Sequence, residues 1–164
     1  MKIKNRKNEF KTIRFVGKDK YIVAWDFTPL FKNGKETNVA VWEEYCFNHK
    51  PSIDEIKEVI ISYYNNEVDK KILSGYQWEN YNIWLSSENQ FNYKAAYDIA
   101  IQTNGANLPL KFKFGDNTSP EYYEFNNLNK LTEFYMGAIT HIQTTLNEGW
   151  KKKDNINWEI YKIK

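Results

Sequence analysis

Cysteine is nearly absent from this chain. Cys46 is the only one in 164 residues, so no internal disulfide can brace the fold. Metal ligands are equally scarce. The only histidines are His49 and His141, whereas a zinc site draws on about four ligands. Cys46 and His49 form a Cys-x-x-His pair with no complement nearby. A nucleophilic Cys-His pair would also need a third, orienting group. The seven glycines stand singly, and there is no Gly-rich phosphate loop, no Gly-x-Ser-x-Gly and no His-Glu-x-x-His. Glu43 and Glu44 are adjacent carboxylates. On a strand they point to opposite faces and cannot converge on one bond. Asp26, Asp98 and Asp116 show no partner at sequence level. The expectation is a non-enzyme with no metal and no cofactor.

Long apolar runs are missing too. No stretch of about 18 apolar residues exists, so no membrane helix is expected. The opening MKIKNRKNEF lacks the apolar core of a signal peptide. The expectation is a soluble chain synthesised in the cytoplasm.

Aromatic residues are plentiful. Trp, Tyr and Phe make up 17% of the chain, and Tyr outnumbers Phe. Each ring buries roughly 150–250 Å², and Tyr and Trp also need a polar partner. An AT-rich coding sequence enriches Tyr, Asn, Lys and Ile as well, so composition alone does not separate core from interface. Length fits one domain, and about 70% of the unfolded surface can be buried at this size.

Charge is uneven. The whole chain carries +2, which gives no argument for nucleic acid as a partner. Residues 1–20 hold eight Lys or Arg against two acids. Lys2, Lys4, Arg6 and Lys7 head this basic arm, which reads as polar over residues 1–9. Such an arm tracks phosphates or an acidic protein surface, or is simply solvated.

Periodicity organises the remainder. FKTIRFVG and KYIVAWDFTPLF read as strands. Asn33-Gly34 marks a hairpin, with TNVAVWEEYCF as the returning strand. Pro51 and the Ser52–Glu55 capping-box spacing open a helix, with Ile53, Ile56, Ile60 and Tyr63 as its stripe and EVDKKILSG as a short further turn. YQWENYNIWLS reads as a hairpin turning at Glu79-Asn80. Ser86 or Ser87 then caps a helix that runs to about Thr103. Apolar residues on most of its sides predict a central, buried helix. LPLKFKFG pairs with EYYEF across DNTSP. A long helix follows, with Leu128, Leu131, Phe134, Ala138, Ile142, Leu146 and Trp150 at three- and four-residue steps. Lys151, Lys152 and Lys153 suit the negative end of its dipole. NINWEIYKIK is a further strand or a docking tail.

The fold class expected is therefore α+β: an antiparallel sheet or hairpins packed with about three helices, a strand-hairpin-helix unit occurring twice in the C-terminal two thirds. A basic arm and N-terminal β region span 1–50, and an α+β domain spans 51–164, or the two form one continuous domain. The candidate binding residues are the hairpin aromatics Tyr76, Trp78, Tyr81 and Trp84. Alternation places Tyr76 with Trp78, Tyr81 with Ile83, and Trp84 opposite. One set can feed the core while the other meets a sugar ring or another subunit.

SGYQWENYNIWLSSENQFNYKAAYDIA, LPLKFKFG, YYEF and LTEFYMGAITHIQTTLNEGWKKKD together resemble uncharacterised Bacteroides-type phage and prophage proteins. They are also similar to the domain of unknown function found in phage tail-region proteins. The likeness covers roughly residues 50–155. It implies a phage or prophage gene near virion or tail genes, with synthesis in the host cytoplasm. It carries no catalytic residues. The function expected from it is a non-enzymatic, virion-associated structural protein of a tail, fibre or head accessory. Self-association or other virion proteins would be its partners. Alternatives are a fibre-assembly helper or carbohydrate- or protein-binding module, and an inhibitor of a host defence protein.

Overall fold

A computed structural model describes residues 1–115 and 119–163. The fold is α+β, with all strand pairs antiparallel among the described residues. The chain divides into two compact units, Met1–Tyr63 with Asn155–Lys164, and Tyr64–Asp154. The boundary between the units falls inside a helix, and the C-terminal segment from Asn155 groups with the first unit.

The first unit is built on a four-stranded sheet in the order β1-β4-β3-β2. β1 is Lys2–Arg6, β2 Ile13–Gly17, β3 Lys20–Lys32 and β4 Lys35–Phe47. The β3–β4 turn holds Asn33 and Gly34 at φ 52° and 73°, the left-handed pair that a two-residue hairpin requires. Lys18 and Asp19 turn β2 into β3 at φ 50° and 58°. The first nine residues correct the expectation of a polar arm. Lys2–Arg6 pair in register with Val39–Glu43, and Lys7–Glu9 form a 3-10 turn. Ile3 is the anchor, packing on the Ala24, Ala40 and Trp42 cluster.

α1 spans Ile53–Ser74. Its capping box forms as the spacing predicts. The Ser52 backbone N–H and hydroxyl both donate to Glu55 Oε2 (2.8 and 2.9 Å), and the Glu55 N–H donates to Ser52 Oγ (3.3 Å). EVDKKILS continues the helix without a break, to the stop at Gly75. The first unit closes with a 3-10 turn, Trp158–Tyr161. The C-terminal segment is thus a docked tail and not a strand: Tyr161 is buried and its hydroxyl donates to the Ala24 carbonyl (3.3 Å).

The second unit repeats one motif. The hairpin of β5 (Tyr76–Trp78) and β6 (Tyr81–Ile83) leads into α2 (Ser87–Gln102). The hairpin of β7 (Leu110–Gly115) and β8 (Pro120–Phe125) leads into α3 (Leu128–Asp154). Ser86 is the α2 cap and accepts from the Asn89 N–H (3.2 Å). α3 is the most amphipathic of the helices. Its Leu131, Phe134 and Ala138 enter a core with Tyr76, Ile83, Leu85, Tyr93, Phe114 and Phe125. α2 departs from the expected central helix. It buries Tyr93 and Ala100 while Phe91, Ile99 and Ile101 face solvent. A helix of four turns lying over one side of a core can bury only one face, whatever its composition.

Candidate functional site

The hairpin aromatics were the residues most expected to bind. β5 and β6 pair Tyr76 with Ile83 and Trp78 with Tyr81. Directly opposed residues share a face, so Tyr76, Trp78, Tyr81 and Ile83 all point one way. That way is inward. Phe134 stands at the centre of an aromatic cluster, with ring centroids at 5.0 Å from Tyr93, 5.1 Å from Phe125, 5.5 Å from Trp78 and Phe114, and 6.0 Å from Tyr76. Tyr81 packs on Phe114 and Tyr123 at 5.5 and 5.7 Å. The Tyr76 hydroxyl donates to the Phe134 carbonyl (2.8 Å), and burial pushes its pKa up to about 12. Burial does the same for Tyr93. Lys130 Nζ sits 5.4 Å from the Trp78 ring and ion-pairs with Glu79 across 3.3 Å. Tyr76 is therefore a core residue, and Trp78 and Tyr81 are half-buried against the same core. Trp84 alone lies outside, 51% exposed.

The surface that remains apolar is on α2. Phe91 is 71% exposed and Ile99 50%, with half-buried Ala95 between them. These positions recur every four residues and form one ridge along the helix. Lys94 and Asp98 pair beside it (2.7 Å), which corrects the expectation that Asp98 lacks a partner. The trace this ridge leaves in the sequence is the four-residue spacing of Phe91, Ala95 and Ile99, which does not say which side of the helix meets solvent.

Between the later turns of α1 and α3 lies an open groove of about 430 Å³. Gly149 makes it possible for the helices to close, since a Cβ there would run into Val68. Lys71, Glu148 and Lys152 line the groove with Tyr64 and Thr145. Its charges are spent on one another. Lys71 ion-pairs with Glu148 (2.5 Å), and Lys70 with Glu67 (3.0 Å). Lys71 and Lys152 together hold the Glu148 carboxyl below the usual range, Lys71 by hydrogen bond and charge foremost. Lys152 sits 5.8 Å from the Tyr64 ring and Lys153 donates to Asn65 (2.7 Å), so this lysine run serves helix packing as well as the α3 dipole.

His49, His141 and Glu44 have structural uses. His49 Nε2 meets Glu55 Oε1 at 2.8 Å. The Ser52 bonds and this contact hold the Glu55 carboxyl down at about 2. His141 Nε2 lies 3.0 Å from the Lys71 carbonyl. A carbonyl only accepts, so Nε2 carries the proton and His141 closes the last turn of α1. Cys46 is exposed and its Sγ lies 3.8 Å from the Phe47 carbonyl. Asp26 accepts from the Tyr63 hydroxyl (3.3 Å); Asp116 lies outside the described residues. Glu43 and Glu44 do diverge. Glu44 is buried, accepting from Trp42 Nε1 (2.8 Å) and from Arg14 Nη2 at both oxygens (3.0 and 2.8 Å). Among the described residues no group of three His, Cys, Asp or Glu is placed to hold a metal ion, and no helix is long and apolar enough to cross a membrane.

The cations of the N-terminus find fixed places. Lys2, Lys4 and Arg6 lie along the outer strand of the sheet, all exposed, and Lys7 ion-pairs with Glu36. No family model, curated protein or solved structure matches the chain.

Proposed function

We propose that this chain works by binding proteins rather than by catalysis, as a structural component associated with a phage particle. The observation that carries the binding role is the α2 ridge. Phe91 and Ile99 are exposed on a well-capped helix whose opposite side is anchored by Tyr93 and Ala100. A rigid helix presenting aligned apolar side chains is a common protein-recognition element. The structural duties of His49, His141 and Glu44 support a role without chemistry. The phage context rests on the resemblance of residues 50–155.

Mass spectrometry of purified particles, from the phage or induced prophage encoding this sequence, tests the reading. The expected result is tens of copies per particle, falling sharply for a Phe91→Asp/Ile99→Asp double variant that folds normally. Abundant protein in infected cells with none in particles would overturn the virion role and favour an assembly helper or a host-directed inhibitor.

A further inference from the structure

The two open edges of the first unit's sheet are built differently, and the difference selects one of them for pairing. In an antiparallel ladder, residues alternate between bonding their partner strand and pointing N–H and C=O away from it. Met1 and Glu44 exchange backbone bonds, the Met1 nitrogen donating to the Glu44 carbonyl (2.6 Å) and the Glu44 N–H to the Met1 carbonyl (2.9 Å). Counting along the β1–β4 register, Ile3 and Asn5 also bond inward. The free backbone groups of that edge belong to Lys2, Lys4 and Arg6. A second β1 laid alongside would set cation against cation, a common device for keeping edges apart.

The β2 edge has the opposite character. The Ala24 N–H donates to the Thr12 carbonyl (2.8 Å), and the register pairs Ile13 with Val23, Arg14 with Ile22 and Phe15 with Tyr21. Thr12 and Arg14 therefore bond inward, and the free N–H and C=O groups are those of Ile13 and Phe15. Phe15 is 61% exposed and Val16 48%. The one charge on this stretch, Arg14, is already neutralised by Glu44 (2.8 Å). The bulge falls after Phe15, so Thr12–Phe15 keep regular pairing geometry.

We propose that β2 is a self-pairing edge, and that its occupant is β2 of a second copy of this chain, antiparallel about a two-fold axis at Arg14. Ile13 then stands opposite Phe15 of the partner, and Phe15 opposite the partner's Ile13. Both pairs exchange backbone bonds, so every free group of the regular edge is satisfied. Aromatic with β-branched is a favoured cross-strand pairing. Two sheets join into one of eight strands. The symmetry is closed, because the edges left on the joined sheet are its two cationic β1 strands. The contact is small beside the roughly 800 Å² per partner of a standard interface, so the dimer is weak and dissociates on dilution. The inference rests on the protein-binding reading but uses a surface separate from the α2 ridge.

Sedimentation equilibrium from about 1 to about 200 µM tests it, across a range that spans weak association. The wild-type mass should rise from 19.6 kDa toward twice that value. Phe15→Lys, which places charge on the edge, and Phe15→Pro, which deletes an outward N–H and no bond to β3, should both remain monomeric with unchanged circular dichroism. Lys4→Pro, the matching change on β1, should dimerise like wild type. If Phe15→Pro unfolds, Phe15→Lys decides. A monomer throughout, a trimer, or a dimer that survives both Phe15 variants overturns the proposal. The last two outcomes would leave the protein-binding reading standing on another surface, and loss of particle incorporation in the α2 variant is read independently of all three.

Discussion

Gly137→Ala gives a test in which two physical effects have opposite signs. Gly137 lies within α3, and an alanine in a helix interior is favoured over glycine by about 1 kcal/mol. Propensity alone therefore forecasts a stabilised protein. The packing forecasts the reverse. A Cβ at Gly137 would fall far inside contact distance of the Tyr76 hydroxyl, with Tyr76 Cζ at 3.2 Å. Tyr76 has little freedom to retreat, being buried and bonded to the Phe134 carbonyl at 2.8 Å. Overpacking of this kind costs about 1–3 kcal/mol, and losing the hydroxyl's bond costs about 1 kcal/mol more. The net expectation is destabilisation by about 1–3 kcal/mol. Urea denaturation followed by near-ultraviolet circular dichroism should show a lower midpoint at unchanged slope. Tyr76→Phe removes the clashing oxygen, so Tyr76→Phe/Gly137→Ala should be more stable than the sum of the two single changes predicts. A Gly137→Ala protein that melts higher than wild type, or a double variant with no recovery, would refute the close approach of Tyr76 to α3.

Trp78→Ala and Trp84→Ala separate core from surface within one hairpin: about 3–5 kcal/mol of lost stability for Trp78, and within about 0.5 kcal/mol of wild type for Trp84. Equal effects would contradict the inward face of β5 and β6. The capping box predicts acid sensitivity. The Glu55 pKa is lowered to about 2, so its stabilising contribution is complete above the ordinary carboxylate range near 4.5. That contribution is lost as pH falls toward 2. Glu55→Gln should flatten the thermal-melting profile over that window, and an unchanged profile would count against the cap.

Much of the fold was legible because its signals are local. Asn33-Gly34 turns the long hairpin with the backbone angles its residues favour. Ser52 and Glu55 cap α1, and the spacing from Leu128 to Trp150 marks α3. The hairpin-helix motif was visible twice for the same reason. What escaped depended on partners distant in sequence. Tyr76 with Trp78, and Tyr81 with Ile83, were each recognised as sharing a face. Joining the two sets requires the register of the turn at Glu79-Asn80, where Glu79 takes φ 50°. That register puts all four, three aromatics and Ile83, on one inward face. α2 shows the same limit from the other side: its composition permits burial on several faces, and only the placement of the neighbouring hairpin and α3 decides that Phe91 and Ile99 stay outside.

The N-terminus departs from the expected arm because an edge strand and a solvated arm share a sequence pattern. Lys2-Ile3-Lys4-Asn5-Arg6 alternates, but only Ile3 is apolar, and a single anchor carries too little periodicity to declare a strand. On a sheet's rim that poverty is functional. The inward-bonding positions need one hydrophobic contact, which Ile3 makes with the Trp42 cluster, while the outward-bonding positions need side chains that refuse another strand. Lys2, Lys4 and Arg6 fill those positions, with Lys7 tied to Glu36 beyond them. Charge density that suggested an arm reaching for a partner thus sits where it repels a copy of itself. The apolar residues that lack such protection, Ile13 and Phe15, occupy the equivalent outward positions on the opposite rim. Two strands of equal length in one sheet carry opposite instructions, and the alternation of backbone bonds is what makes them readable.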